Sequence, residues 1–254
     1  MHEPPPGAAF SWSDAEHATM RAPFIAASAL LLAACASVPP AATDDRWHPV
    51  PLPGKAATRY EPVHKDGRPA VLAVSDRSAS LWRRHVEPPQ AAPGEVRFSW
   101  WAQTLLEQAS VADVDREDAT ARVVFGFGGD HARLPLRTRM SFDLAEALTG
   151  ERPPYATLMY VWDATAPVGS VIVNPRSDRI RKIVVDSGPQ GLRRWRDHRR
   201  DLAADFRRAF GEEPGPLRSV ALMTDSDNTR GRARTWYGEV VLNPAADAGA
   251  PPPP

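Results

Sequence analysis

Two groups of carboxylates are the residues of this chain that could most readily do chemistry. Four acids lie within six residues of each other, and two more fall in the segment TDSDNT at residues 224–229: Asp113, Asp115, Glu117, Asp118, Asp225 and Asp227. Two carboxylates that face one cleft about 5 to 10 Å apart could be the acid and base of glycoside hydrolysis. Polar turns that cap the ends of strands are the simpler interpretation of both groups.

Calcium binding at Asp225 and Asp227 is a weaker alternative. Ca²⁺ takes six to eight oxygen ligands, and residues 224–229 offer several of them within one loop. The loop lacks the glycine and the distal glutamate of an EF-hand, so we expect no metal and no cofactor. The seven histidines form no HxH or HxxxH pair, which argues against zinc.

Other catalytic signals are weak. Residues 126–130 (GFGGD) resemble a phosphate-binding loop, but they lack the Walker lysine and the GxGxxG spacing. No GxSxG motif is present, so no serine nucleophile can be assigned. We therefore expect no catalytic residue, and a binding protein is favoured over an enzyme.

The single cysteine, Cys35, predicts a covalent modification. It ends the segment LAAC, after a short apolar run that follows Arg21 and Met20. This is the layout of a bacterial lipoprotein signal, in which the cysteine becomes the lipidated first residue of the mature protein. The apolar run is shorter than the roughly 20 residues of a transmembrane helix. We expect a lipid anchor facing the periplasm, and Ala36 after the cysteine favours the outer membrane.

These signals divide the chain into five parts. Residues 1–19 look like an extension upstream of the true start, 20–34 form the signal peptide and 35–46 form a flexible tether. Residues 47–243 form the folded domain, and 244–254 are a Pro-rich tail that cannot bury apolar surface. The whole chain carries 31 basic and 31 acidic residues, so it has no basic excess for binding nucleic acid.

Short apolar runs between turn signals dominate the domain. They are rich in Val, Ile, Phe, Tyr and Trp, and several alternate with a period of two, as in 122–127. This pattern predicts a mainly β antiparallel sandwich. One long amphipathic helix is predicted at about 191–210, with His198 on its surface, and one short helix at 142–148.

Loops at the strand ends supply the expected ligand rim. Arg122 would donate hydrogen bonds to polar oxygens, Asp225 and Asp227 would accept them from sugar hydroxyls, and an exposed tryptophan would stack on a ring. Trp100 and Trp101 are adjacent in one predicted strand and point to opposite faces, so one of the two is expected to be buried. The candidate residues are Trp100, Trp101, Arg122, Trp162, Asp163, Asp225, Asp227 and Asn228.

Several segments in order resemble the DUF3047 family of uncharacterised bacterial envelope proteins. They are FSWW at 98–101, REDA at 116–119, PYATLMYVW at 154–162, Trp195 with RRD at 199–201, FGE at 210–212, MTDSDNT at 223–229 and YG at 237–238. The resemblance spans about 47–242 and implies no established function. The overall pattern also looks like the jelly-roll, galactose-binding-like sandwiches of carbohydrate-binding modules, which is an analogy of fold alone.

Three functions follow as hypotheses. The first is a non-catalytic lipoprotein that binds a glycan or another envelope component. The second is an envelope polysaccharide hydrolase that uses two of Glu117, Asp118, Asp225 and Asp227. The third is a structural role in which the domain docks onto an envelope protein through an exposed apolar patch.

Overall fold

The computed structural model describes residues 47–244, which fold into two packed β-sheets with two helices. Thirteen strands lie in this part of the chain: β1 His48–Pro51, β2 Arg59–Lys65, β3 Arg68–Asp76, β4 Ser80–Gln90, β5 Pro93–Ala102, β6 Ala119–Phe127, β7 Ala156–Asp163, β8 Val171–Asn174, β9 Ser177–Ser187, β10 Arg196–Asp201, β11 Leu217–Asp225, β12 Arg232–Tyr237 and β13 Val241–Pro244. The helices are α1 Leu136–Thr149 and α2 Leu202–Phe210. The predicted lipidation site Cys35, the signal peptide, the tether and residues 245–254 of the tail lie outside the described residues.

The two sheets form the predicted mainly β sandwich. The seven-stranded sheet has the order β1-β4-β11-β6-β7-β9-β8, and the six-stranded sheet has the order β10-β5-β12-β3-β2 with β13 also beside β5. All pairs are antiparallel except β7 with β9, which run parallel. This exception arises because the chain runs through β8 at the edge of the sheet and then turns back, so that β9 lies between β8 and β7.

Alternation along the strands sends large apolar side chains into the space between the sheets. Phe98 and Trp100 of β5 meet Phe125 of β6 and Tyr160 of β7, all fully or almost fully buried. The ring of Phe98 stacks on Tyr160 with centroids 5.4 Å apart, and Phe125 meets Tyr160 edge to face at 5.5 Å. Burial of these side chains is the main force that holds the sheets together.

The prediction of a long helix at 191–210 is wrong over its first half. Residues Arg196–Asp201 form the edge strand β10, which pairs with β5, and only Leu202–Phe210 are helical. The charged residues of β10 alternate with a period of two, so that Arg196, His198 and Arg200 point inward to buried acids. The prediction of an amphipathic helix did not take this period of two into account.

Capping residues define the start of α2 and the C-terminal ends of both helices. Asp201 caps α2 by accepting the N–H of Ala204 at 2.9 Å, and Gly211 ends it in the left-handed conformation (φ 72°). The other predicted helix is longer than expected, and Gly150 closes it in the same way (φ 75°). No helix within residues 47–244 has the length and apolarity needed to cross a membrane.

Removing the cap of α2 tests where the helix begins. Asp201→Ala leaves the N–H of Ala204 without its partner, so we expect the free energy of unfolding to fall by about 0.5 to 2 kcal/mol. Asp197→Ala is the matched control, because Asp197 is exposed on the same strand and makes only a surface ion pair with Arg68. Urea unfolding followed by tryptophan fluorescence measures both. Equal effects of the two substitutions would contradict a helix that starts at Leu202.

Candidate functional site

The outer face of the seven-stranded sheet forms a groove of about 510 Å³. Its floor is built by alternation: the residues of β6, β7 and β11 that do not face the core point into the groove. These floor residues are Val124, Gly126, Thr157, Met159, Ser219, Ala221 and Met223. An outward sheet face is usually polar, but Val124, Ala221 and Met223 here form a small apolar cluster of their own with Ala79.

Three segments raise the walls of the groove. The chain after β1 contributes Leu52 and Lys55, the β8–β9 hairpin contributes Arg176 and Ile180, and the segment before β7 contributes residues 153–154. The floor therefore lies between these segments.

A buried ion pair closes one end of the groove. Arg122 extends from β6 toward Asp225 at the end of β11, and both side chains are buried. The guanidinium donates from Nε to Asp225 Oδ1 at 3.0 Å and from Nη2 to Oδ2 at 2.9 Å. The backbone N–H of Ala119 also donates to Asp225 Oδ1 at 3.1 Å. This two-pronged contact satisfies the carboxylate on both oxygens.

Glu117 joins the pair to a second buried cation. Its Oε1 lies 2.6 Å from the Nζ of Lys182, and its Oε2 accepts from Arg176 Nη1 at 2.8 Å. The backbone oxygen of Glu117 accepts from Arg122 Nη2 at 2.9 Å. Lys182 also donates to the carbonyl of Val111 at 2.6 Å. The loop before β6 is thus fixed onto the sheet by charges that are themselves buried.

Asp118, Asp227 and Asn228 complete this polar end. Asp118 accepts the backbone N–H groups of Asn228 and Thr229, at 3.2 and 2.7 Å, together with the Thr229 hydroxyl at 2.6 Å. Asp227 forms an ion pair with Lys55. The structure therefore brings together four of the predicted ligand residues: Arg122, Asp225, Asp227 and Asn228.

The acids at this end do not fit a calcium site. Carboxylate oxygens of Asp118, Asp225 and Asp227 lie within 4.8 Å of one another. Most of their oxygens already accept hydrogen bonds, and two of the donors are the cations Arg122 and Lys55. A Ca²⁺ ion would have to displace Lys55 and compete with a buried guanidinium for the same lone pairs.

Burial shifts two titratable groups at this end of the groove. It raises the pKa of Asp225 to about 7; Arg122 opposes this rise, and the negative charges of Asp118 and Asp227 add to it. Burial also lowers the pKa of Lys182 to about 8, with the charge of Arg122 acting in the same direction and Glu117 in the opposite one.

The other predicted ligand residues lie elsewhere. Trp100 and Trp162 are buried between the sheets and present no face on which a ligand could stack. Asp163 is buried and accepts the backbone N–H groups of Val111, Thr165 and Ala166. Trp101 packs edge to face on Trp236 on the outer side of the six-stranded sheet, away from the groove.

His198 is not on a helix surface, contrary to the prediction. It points inward from β10, where its Nε2 lies 2.9 Å from Asp186 Oδ2. Trp100 Nε1 donates to the same oxygen at 2.7 Å, and Arg196 holds the other oxygen. These partners lower the pKa of Asp186 against the effect of its burial. The cluster joins the edge strand to the core, and every carboxylate oxygen in it is occupied.

Several groove residues were missed by the sequence reading. Lys55, Asn174 and Arg176 of the lining were not singled out, and neither was Lys182, which is buried behind Glu117. A lysine directly before the apolar run IVV at 183–185 was the one available signal, because a buried lysine requires an acidic partner. The others are surface-type residues that only the tertiary structure brings together.

Fold and site together define a β-sandwich with an outward apolar groove that is closed at one end by buried ion pairs. The chain belongs to the family described as "Protein of unknown function (DUF3047)", whose model matches residues 45–241. No curated protein matches the chain. Among solved structures, it is similar to the xyloglucanase domain of NopAA, a type three effector from Sinorhizobium fredii, in complex with cellobiose. That similarity has 8% identity and a TM-score of 0.38 over 78% of this chain and 97% of the other.

The raised pKa of Asp225 predicts an unusual pH dependence of stability. With this pKa, the folded protein binds a proton at Asp225 between about pH 4 and 7 that the unfolded chain, with an ordinary pKa of 3.8, has released. The free energy of unfolding should therefore fall as the pH rises through this window. The contacts of both carboxylate oxygens with Arg122 describe the ionised form above that window. We expect Asp225→Asn to remove this slope in urea unfolding measured at a series of pH values.

Asp186→Asn is the control for this measurement. The pKa of Asp186 is lowered, so its contribution to stability is present above its ordinary pKa and is lost only as the pH falls further. This substitution should leave the slope between about pH 4 and 7 in place. An identical pH profile for the wild type and Asp225→Asn would show that Asp225 is ionised throughout.

Proposed function

We propose that this protein is a lipid-anchored lipoprotein of the bacterial envelope, and that its groove binds an envelope component without catalysis. The observation that carries the proposal is an apolar floor on the outward face of a sheet, recessed between walls and closed by fixed charges. Ligand sites are typically concave, mostly apolar and equipped with a few well-positioned polar groups. The lipoprotein signal that ends at Cys35 supports the envelope location.

The lining of the groove favours an aliphatic ligand part over a bare sugar ring. The residues that line it within the described chain include no Trp, Tyr or Phe, whereas the floor contains Val124, Met159 and Met223. Sugar rings bind well where an aromatic ring can stack on them, but methionine and valine pack readily against acyl or other flexible chains. An envelope component with both an apolar and a polar part therefore fits better than a neutral oligosaccharide.

The charges at the polar end favour an anionic group on that ligand. The exposed groups are cations, since the side chains of Lys55 and Arg176 are 43% and 56% exposed. Their partners Asp227 and Glu117 are recessed, at 12% and 9%. Lys55 and Arg176 each have more N–H groups than their acidic partner uses, so a ligand carboxylate or phosphate can accept from the exposed N–H groups while the ion pairs stay in place.

A variant with a larger side chain in the groove tests the proposal. Thr157→Arg would place a long charged side chain on the floor without touching the ion pairs. The matched control is Val173→Arg, because Val173 is exposed on the edge strand β8 and does not line the groove. We expect thermal shifts with a fatty acid, a lysophospholipid below its micelle concentration or an anionic peptidoglycan fragment, and we expect Thr157→Arg to abolish them.

The size of the effect follows from linkage. A ligand at 100 times its dissociation constant adds about 2.7 kcal/mol of apparent stability when it binds only the folded state. Val173→Arg should keep this shift in full. A screen without any shift, neutral glycans included, would contradict a ligand-binding groove, and equal shifts in both variants would place the ligand elsewhere.

One observation favours hydrolysis as a second candidate. Glu117, Asp225 and Asp227 line the same end of one groove, and the pKa of Asp225, raised to about 7, suits an acid. Both oxygens of Asp225 are nevertheless held by Arg122, which ranks this function second. Release of reducing sugar from envelope polysaccharide, lost in Asp227→Asn and kept in Asp197→Asn, would establish catalysis.

A further inference from the structure

Helix α1 carries an apolar stripe that nothing within residues 47–244 covers. Large apolar residues recur at every fourth position and are between 62% and 69% exposed: Leu136, Met140, Leu144 and Leu148. Phe142, on the opposite side of the helix, is buried and meets the ring of His131 edge to face at 5.7 Å. The stripe is a contiguous apolar surface along the helix, and such a surface marks an interaction site.

The stripe lies beside the point where the described chain begins. A cavity of about 650 Å³ is lined on one side by residues 48–53 and on the other by Ala145, Leu148 and Thr149 of α1. The described chain therefore begins next to the C-terminal half of the helix.

The length of the segment between Cys35 and Trp47 limits how far the domain can move from a lipid on Cys35. Cys35 precedes Trp47 by 12 residues, which span at most about 40 Å when fully extended. The helix itself is about 21 Å long, since it has 14 residues with a rise of about 1.5 Å each. A lipid-anchored chain thus keeps α1 within reach of the bilayer to which it is attached.

The charges around the helix suit an anionic membrane surface. Arg133 and Arg137 are exposed near its N-terminal end and form no ion pair with the described residues. The acids farther along, Asp143 and Glu146, share the single partner Arg152 at 2.7 and 2.9 Å, so the three residues Arg133, Arg137 and Arg152 outnumber these two acids by one. Cations that flank an exposed apolar stripe are typical of helices that lie in the membrane interface.

We propose that α1 lies in the interface of the bilayer that holds the lipid of Cys35, with its apolar stripe among the acyl chains. The helix then serves as a second attachment beside the lipid and fixes the orientation of the domain on the membrane. This inference rests on the lipid anchor of the proposed function, and it is independent of what the groove binds.

A probe at Leu144 tests the proposal in the lipidated, full-length chain. Cys35 is the only cysteine, and lipidation blocks it, so Leu144→Cys can be labelled selectively with a polarity-sensitive fluorophore. Val173→Cys is the matched control, on an exposed side chain of β8. In vesicles of phosphatidylethanolamine and phosphatidylglycerol, we expect blue-shifted emission and several-fold weaker iodide quenching at 144, and neither at 173.

Substitution of the stripe completes the test. Leu136→Glu together with Leu148→Glu should restore iodide quenching at 144 while the protein stays in the vesicles. Equal quenching at 144 and 173 in vesicles overturns the proposal. Protection at 144 that is also seen without lipid, and that increases with protein concentration, overturns it too, because a second copy then covers the stripe.

The lipid anchor and the groove are checked separately. Mass measurement of the N-terminal peptide shows whether Cys35 carries lipid, and an unmodified Cys35 overturns the membrane proposal at its basis. Thr157→Arg should leave the protection at 144 unchanged, which separates failure of the ligand groove from failure of the membrane contact.

Discussion

The ion pair between Arg122 and Asp225 is the interaction on which the site depends. A charge that is taken out of water must be paired and hydrogen-bonded, and removal of one partner from such a pair costs about 3 to 5 kcal/mol. The sequence places the two partners on neighbouring strands, 103 residues apart along the chain. Glu117 and Lys182 extend the network to the loop before β6, which covers the outer face of β7 and β9 through Val111. Removal of either partner would therefore destabilise the strands and the loop that form the polar end.

The buried ion pairs fix the polar end in one arrangement, which explains how the groove can combine charges with an apolar floor. Most of the polar atoms at the closed end already have partners within the protein, so the end keeps its shape without a ligand. A preformed site avoids the ordering cost that a flexible one would have on binding. Lys55 and Arg176 are the more adaptable members, because they are exposed and held by only one or two contacts each.

The sequence predicted the sandwich because hydrophobic alternation within strands is a local signal, and the β6 run at 122–127 is a clear example. It failed over the first half of the helix predicted at 191–210, where Arg196–Asp201 form an edge strand. The inward Arg196 and Arg200 of this strand pair with buried acids that only the tertiary structure supplies. The site could also be predicted only in part, because contacts between distant segments leave no local signal in the sequence. Arg122, Asp225, Asp227 and Asn228 were predicted, but Lys55 and Arg176 had no signal of their own, and burial of Trp100 and Trp162 depends on which sheet faces the other.

The order of the strands has a consequence for when the protein can fold. In the seven-stranded sheet β11 lies between β4 and β6, and in the six-stranded sheet β12 lies between β5 and β3. Neither sheet is continuous until residues 217–237, close to the end of the chain, are in place. Pairings this distant in sequence form slowly. The part of the described chain that leaves the ribosome first therefore cannot complete a stable core by itself, and the domain stays unfolded until its last strands have been synthesised.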